Sequence, residues 1–254
     1  MTRLVSFAKR YAVAAGGVGY AFTLGLRSRR HRGLINDIAK HFGYHTAPAP
    51  LLPTVSVAEV TREDTTVLLR EPGSRDGNVA LLELLVLARL VRERAPRALF
   101  EIGTFDGRTT LNLAANSPAD AVVYTLDLPR DLAPSLALHP NEGKYVDKPV
   151  SGARYLGTDL APKIRQLLGD SATFDFEPYA TDFVFVDASH AYEYVLNDSR
   201  RALQMLRGGR GTIVWHDYSE WEGVTRALDT LAREVPAFAG LRWIEGTPLA
   251  ILED

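Results

Sequence analysis

The chain has 254 residues, with 29 basic and 31 acidic side chains and a formal net charge of −2. This length is enough for one sizeable α/β domain, and the balanced charge provides no overall field that would attract nucleic acid. Cysteine is absent, which excludes disulfides, thiolate zinc sites and a cysteine nucleophile.

The N-terminal segment 11–26, YAVAAGGVGYAFTLGL, is weakly apolar and has basic residues on both sides. It is shorter than the ~20 apolar residues of a transmembrane helix, and the cluster RSRRHR follows where a secretory signal would have its cleavage site. We expect the segment to pack on the domain or on a partner subunit, for example in a homodimer. Contact with a membrane surface is a less favoured alternative, and a targeting peptide is a third. We expect a cytoplasmic protein.

Two helices are predicted before the main alternating pattern. Residues 34–43, LINDIAKHFG, predict a short amphipathic helix, and the proline-rich APAPLLP that follows predicts a linker. Residues 79–94 predict a long buried helix with charges at its C-terminal end. We therefore assign residues 1–76 to an N-terminal helical and linker extension and residues 77–254 to the main domain.

From residue 98 onward, apolar strand-like runs alternate with helical stretches. Candidate helices are 191–206 and 222–234, and candidate strands are 98–102, 121–126, 164–170, 183–186 and 212–216. Successive βα units predict an α/β fold, a doubly wound, Rossmann-like and mostly parallel sheet. The tail LRWIEG and PLAIL, joined by a tight turn, predicts an antiparallel C-terminal edge.

The loop after the first of these strands, EIGTFDGRTT, combines glycines with carboxylates. Glu101, Gly103, Asp106 and Gly107 are spaced E-x-G-x-x-D-G, whereas a dinucleotide-binding loop has G-x-G-x-x-G facing a pyrophosphate. The carboxylates would repel a pyrophosphate and suit a cationic or amino-bearing ligand. This argues against a nicotinamide-dependent oxidoreductase, which we keep as an alternative function.

Acidic residues also follow the next two strands. The second strand ends in YTLDLP, which places Asp127 at its carboxyl end, about where an acidic residue commonly accepts hydrogen bonds from ribose hydroxyls. Asp170, in LLGDSA, stands where a side chain can bond an adenine amino group. Each residue also fits an ordinary turn or helix cap, so these positions favour a nucleoside ligand without requiring one.

These motifs resemble those of the class I S-adenosylmethionine-dependent methyltransferases, from about residue 77 to the C-terminus. The stretches DGNVALLELLVLARL, FVFVDASHAYEYVLNDSRRAL and GTIVWHDY resemble the group that includes bacterial macrolide sugar O-methyltransferases. The resemblance implies S-adenosylmethionine as cofactor, with Glu101, Gly103 and Gly107 near its methionine part. It also implies Asp127 at the ribose and Asp170 near the adenine. The predicted cofactor-binding set is Asn78, Glu101, Gly103, Thr104, Phe105, Asp106, Gly107, Thr109, Asp127 and Asp170.

The fourth strand ends in FVFVDASH, which places Asp187 and His190 beside the predicted cofactor methyl. An aliphatic hydroxyl needs a base or a cation to become a nucleophile at neutral pH. His190 is the predicted general base, because an unperturbed imidazole is largely neutral at pH 7. Asp187 is predicted to act with it or to bind Mg²⁺. The structural alternative is a capping arrangement for the following helix.

The fifth strand adds His216 and Asp217 in TIVWHDYSEW. Asp187, Asp217 and His216 form a predicted site for Mg²⁺ or another divalent cation. An imidazole is a poor ligand for Mg²⁺ and a better one for a transition metal. His216 and Asp217 are otherwise a second acid/base pair or acceptor-binding groups without metal.

Residues 129–150 form a long, proline-containing segment that we predict to be a lid over the acceptor. His139, Lys144 and Tyr145 are weak contact candidates. We expect an O-methyltransferase acting on a hydroxyl of a sugar or related polar natural product. A non-catalytic cofactor-binding or interaction protein with the same fold is a further alternative.

Overall fold

The computed structural model describes residues 2–28, 31–32, 34–35, 38–39, 49–140 and 142–253. The chain forms two compact units, residues 1–46 and 47–254. In the first unit, helix α1 spans Thr2–Ala21 and a 3-10 turn spans Leu24–Arg27. Most of the helix predicted over 34–43 lies outside the described residues, as does the start of the predicted linker. Within the described part of the chain, every helix is too short or too polar to cross a bilayer.

The second unit alternates strands and helices. Its helices are α2 (Val57–Val60), α3 (Leu81–Arg94), α4 (Arg108–Asn116), α5 (Gly143–Val146), α6 (Tyr192–Met205) and α7 (Glu222–Glu234). Its strands are β1 (Thr54–Val55), β2 (Ala98–Ile102), β3 (Val122–Asp127), β4 (Ile164–Leu168), β5 (Phe183–Val186), β6 (Thr212–Trp215), β7 (Arg242–Ile244) and β8 (Ala250–Glu253).

The described strands form one sheet in the order β1-β7-β8-β6-β5-β2-β3-β4. Strand β8 runs antiparallel to β6 and β7, and the other neighbouring pairs are parallel. The predicted Rossmann-like fold, mostly parallel with an antiparallel C-terminal strand, is confirmed. Strand order reverses at β2, which has β3 on one side and β5 on the other, so the carboxyl ends of β2 and β5 are where a ligand crevice is expected.

Strand β1 lies in the segment that the sequence analysis assigns to the extension. It pairs in parallel with β7 and extends the sheet beyond the predicted antiparallel edge. Only two residues form it, which is too short for a strand pattern to be visible in a proline-rich context. The second compact unit accordingly begins at residue 47, while the boundary drawn at residue 77 follows the sequence motifs.

Apolar side chains on both faces of the sheet hold the unit together. On one face, Phe100 and Val184 pack with residues of α6 and α7 such as Ala202 and Leu228. On the other face, Leu99 packs with residues of α3 and α4. Strands buried on both faces read as continuous apolar runs, as FVFV does in β5. The site residues follow these runs and are therefore anchored by the core.

Candidate active site

An open pocket of about 640 Å³ lies at the carboxyl ends of β2, β3, β4 and β5. Five of the predicted site residues line it, namely Gly103, Phe105, Asp127, Asp170 and Asp187. The topology therefore brings these widely separated motifs together at one crevice, as the sequence predicts.

Gly103 allows the ends of β2 and β5 to meet. Its φ is +106°, and a Cβ atom added there would lie 1.9 Å from the main-chain oxygen of Asp187. No rotamer change can relieve a clash with backbone, so only glycine fits. Gly107 has a related role at the start of α4, because a Cβ there would lie 2.7 Å from Cα of Gly152.

Asp127 lines the pocket but is already engaged by the segment after β3. Its Oδ2 lies 2.8 Å from Nζ of Lys148 and accepts a hydrogen bond from Ser151. Burial raises the pKa of Asp127, and Lys148 and Ser151 oppose that shift. A ribose at this carboxylate would have to share it with Lys148 or displace it.

Asp170 lies in the pocket wall at the end of β4. Its Oδ2 accepts a hydrogen bond from the Ser135 amide at 2.6 Å, and its Oδ1 accepts bonds from Ala172 N and Tyr194 Oη. Burial opposes ionisation, but these donors outweigh it and lower the pKa of Asp170. The carboxylate therefore ties the start of the 129–150 segment to the wall.

Asp106 lies beside the pocket lining, where two arginines hold it. Arg75 and Arg154 approach its Oδ2 at 2.9 and 2.7 Å, and Asn78 donates to its Oδ1 at 3.1 Å. Asp106 and Asn78 thus both help to fix the loop. The sequence predicts that the charge of Asp106 faces an amino-bearing ligand, but in the structure the two arginines neutralise that charge. Arg108, fully buried, donates to main-chain oxygens of the 71–79 segment.

Glu101 is fully buried beneath the pocket rather than in its lining. The hydroxyls of Thr110 and Thr125 donate to its Oε2, and Thr104 lies 2.7 Å from Thr125 Oγ1. Burial raises the pKa of Glu101 to about 8, and the two hydroxyl donors oppose that shift. Thr109 is buried in the first turn of α4. These residues support the loop from below.

The raised pKa of Glu101 predicts a pH-dependent cost to folding. The folded state keeps a proton that the unfolded state loses above its ordinary pKa of 4.5, so stability falls as pH rises from about 4.5 to about 8. Glu101→Gln should remove this loss, which amounts to roughly 3–5 kcal/mol. Urea unfolding of both proteins at several pH values measures it. Equal pH dependence in the two proteins would contradict the assignment.

His190 lies between two carboxylates, one on each side of its ring. Its Nδ1 is 2.5 Å from Oε1 of Glu142, and its Nε2 is 2.7 Å from Oδ2 of Asp217. Trp221 stacks on the ring with centroids 4.0 Å apart. Burial alone would lower the pKa of His190, but the ion pairs with Asp217 and Glu142 raise it to about 10. The resting side chain is therefore an imidazolium, unlike the neutral ring assumed from sequence.

His216 continues the same cluster. Its Nε2 lies 3.0 Å from Oε2 of Glu83, and its Nδ1 lies 3.2 Å from Asp187 Oδ1 and 3.1 Å from Asp217 Oδ2. Burial opposes its protonation, but the charges of Asp217 and Asp187 raise the pKa of His216 well above its usual range. Burial also disfavours the charge on Asp217, yet the neighbouring imidazoles keep its pKa far below the usual range.

The three predicted metal ligands do converge. One donor atom from each of Asp187, His216 and Asp217 can be chosen so that all lie within 4.8 Å of one another. Among the described residues, His216 Nδ1 has no hydrogen-bond partner of good geometry, although it is buried and faces the two carboxylates. Two oxygens and one imidazole nitrogen fit a divalent cation that accepts nitrogen better than they fit Mg²⁺.

Two carboxylates of this cluster were not predicted from sequence. Glu142 belongs to the 129–150 segment and also accepts a hydrogen bond from Ser189 at 2.8 Å. Glu83 interrupts the apolar run of α3 at a buried position, which is a signal for a paired carboxylate. No comparable signal marks Glu142, since its partner is 48 positions away in the chain.

The weak candidates of the 129–150 segment have different surroundings. Tyr145 lines the pocket and packs edge-on against Phe105. Lys144 pairs with Asp76. The amide of His139 donates to Glu142 at 3.0 Å. The segment thus covers part of the pocket, and its contact with an acceptor stays a prediction.

Residues 100–218 match the family model described as a methyltransferase domain. Two solved structures share the fold. The O-methyltransferase from Bacillus cereus, in complex with S-adenosylhomocysteine, is 17% identical with a TM-score of 0.50, covering 71% of this chain and 84% of that one. The O-methyltransferase TomG from Streptomyces achromogenes, involved in tomaymycin synthesis and in complex with S-adenosylmethionine, is 18% identical with a TM-score of 0.50, covering 85% and 96%. No curated protein sequence matches.

The matched region begins within β2, includes β3 to β6 and contains the residues that line the pocket, among them Gly103. The sheet order, the family match and the motifs after β2 and β3 all point to the same kind of domain. Residues 100–218 therefore match a methyltransferase domain, in a sheet whose order is that of a Rossmann-like fold.

Proposed function

We propose that the protein transfers the methyl group of S-adenosylmethionine to a hydroxyl of a sugar or a related polar natural product. The observation that carries the proposal is that Asp187 lies both in the wall of the pocket and in the carboxylate–imidazole cluster with His216. The pocket is therefore in direct contact with the carboxylate–imidazole cluster. The two structural neighbours, both described as O-methyltransferases, are compatible with this proposal.

The reaction is an in-line displacement. The acceptor oxygen forms a bond to the methyl carbon, the bond from that carbon to sulfur breaks with its electron pair remaining on sulfur, and the hydroxyl proton passes to a base. Holding the oxygen in attack geometry supplies a large part of the rate enhancement. The pocket wall at Asp187 is the point from which a side chain can orient the hydroxyl.

His190 is the proposed base, in a state that differs from the resting one. Its partner Glu142 belongs to the 129–150 segment and lines the pocket. If that segment shifts when ligands bind, His190 loses one of its two carboxylates, its pKa falls towards the ordinary range, and Nδ1 becomes free to accept a proton. Asp187 is the alternative proton acceptor, because this residue lines the pocket and its carboxylate lies beside His216.

A divalent cation is an optional part of the proposal. Asp187, His216 and Asp217 would hold it, and a bound cation would lower the pKa of a coordinated hydroxyl and orient it. Asp217 would then bind the cation and also pair with His190, so metal binding and the basicity of His190 would both depend on one carboxylate.

Asp127 is the proposed partner of the cofactor ribose, and its replacement should weaken cofactor binding. Asp127→Ala removes a carboxylate that accepts hydrogen bonds from hydroxyls, so we expect affinity for S-adenosylmethionine to fall by roughly 10- to 100-fold. The control is Asp120→Ala near the start of β3, where the side chain is 64% exposed. Calorimetry measures both variants. Equal affinity of the two variants would remove Asp127 from the site.

The transfer itself is tested with methyl-labelled S-adenosylmethionine and a panel of glycosides with free hydroxyls. The proposal predicts label in a base-stable ether and one equivalent of S-adenosylhomocysteine. Label that appears only on nitrogen acceptors would contradict O-methylation. Cofactor binding without transfer to any hydroxyl in the panel would instead favour a non-catalytic binding protein.

A further inference from the structure

We propose that the N-terminal unit binds the surface of an anionic lipid bilayer. The proposed contact surface, called here the N-terminal face, consists of one side of α1 and the turn after it. On α1, Phe7, Tyr11 and Val18 recur at spacings of four and seven residues and so lie on one side of the helix. They are 69%, 67% and 41% exposed. Alanines at 14 and 15 complete this side.

The turn after α1 extends the apolar surface and places basic groups beside it. Phe22, Leu24 and Leu26 are large exposed apolar residues. The chain then folds back, since Arg32 Nη1 donates to the main-chain oxygen of Leu26 at 2.7 Å. Arg27 is also exposed in this turn. Aromatic and aliphatic side chains edged by arginines are typical of helices that lie in the membrane interface.

The charge of the sequence is divided unequally between the two parts of the chain. Residues 1–36 contain seven lysines and arginines and no acidic residue. The remaining 22 basic and 31 acidic residues give residues 37–254 a net charge of −9. An anionic surface therefore attracts the N-terminal segment and repels the rest, which orients the protein at that surface.

An anionic bilayer explains this combination better than the other occupants do. Two copies of the N-terminal face would bring like charges together. Nucleic acid would use the basic groups but would leave apolar residues such as Phe7, Leu24 and Leu26 in water. A bilayer interface accommodates both the apolar side chains and the basic groups. Peripheral binding agrees with the finding that no described helix can span the membrane. The inference is independent of the proposed methyl transfer.

Sedimentation of the full chain with vesicles tests the inference. Vesicles of phosphatidylglycerol and phosphatidylcholine in about a 1:2 ratio should bind the protein at about 0.1 M salt and release most of it at about 0.5 M. Pure phosphatidylcholine vesicles should bind it at least roughly tenfold more weakly. Lys9→Gln with Arg10→Gln should weaken binding roughly 30-fold, and Phe7→Ser with Tyr11→Ser roughly tenfold or more.

The matched control is Arg226→Gln with Arg233→Gln, which removes two exposed arginines from α7 and should leave vesicle binding unchanged. Circular dichroism of each variant verifies that it is folded. Equal binding to neutral vesicles, or no binding to anionic vesicles, would overturn the inference. Binding to a DNA duplex without binding to vesicles would also overturn it, as would a dimer that dissociates on changing Phe7 and Tyr11 while vesicle binding is unaffected.

Discussion

Gly103→Ala is expected to destabilise the protein by roughly 2–5 kcal/mol, because the added methyl group meets main-chain atoms that cannot move aside. The Cβ would lie 1.9 Å from the Asp187 oxygen, and the residue would be forced to keep φ near +106° or to shift β2 away from β5. Any variant that folds should also bind S-adenosylmethionine more weakly, since Gly103 lines the pocket. Urea unfolding and calorimetry measure the two effects.

Gly157→Ala separates steric contact from backbone strain. Gly157 has φ +74° but no atom within 4 Å of an added Cβ. Its replacement should cost about 1–2 kcal/mol from strain alone, with cofactor affinity unchanged. If Gly103→Ala cost no more than Gly157→Ala, the close approach of the β2 and β5 ends would not be a constraint on the fold.

Replacing His190 with glutamine should lower turnover by roughly 10²–10⁴-fold while cofactor affinity changes little. Glutamine has no basic nitrogen, yet it keeps polar atoms near Glu142 and Asp217, so the variant is less disruptive than alanine. Comparing kcat with the dissociation constant for S-adenosylmethionine separates the two roles.

The matched control is His31→Gln, a partly exposed histidine of the N-terminal unit, which should leave turnover on a soluble acceptor unchanged. Nitrogen chemical shifts give a second readout, because the ring of His190 should remain an imidazolium at pH 8 in the free protein. Asp217→Asn should shift the titration of His190 to lower pH, because it removes one of the two carboxylates that flank the His190 ring. Unchanged turnover of the His190 variant would transfer the base role to Asp187.

The strand pattern was largely readable from the sequence because the core imposes it. Residues 98–102 and 183–186 were predicted with the bounds that β2 and β5 have in the structure. Both strands are buried on two faces, so their residues are apolar almost without interruption. Strand β1 was not predicted, since its two residues gain their partner only from β7, far along the chain.

The partners of the site residues were less predictable than the site itself. Asp106 was placed correctly in the loop after β2, but its arginine partners are 31 and 48 positions away in the chain. The pKa of His190 was also misjudged, because its partners lie far from it in the chain. An ordinary imidazole pKa was assumed, whereas Glu142 and Asp217 surround the ring after folding and raise its pKa to about 10.

Calorimetric titration of the intact protein with S-adenosylmethionine tests the central claim most directly, namely that the pocket bounded by Gly103 and Asp127 holds this cofactor. The account predicts one binding event per chain, weakened roughly 10- to 100-fold in Asp127→Ala and unaffected in Asp120→Ala. The account would be contradicted if the intact, folded protein gave no heat of binding with S-adenosylmethionine and showed no competition with S-adenosylhomocysteine.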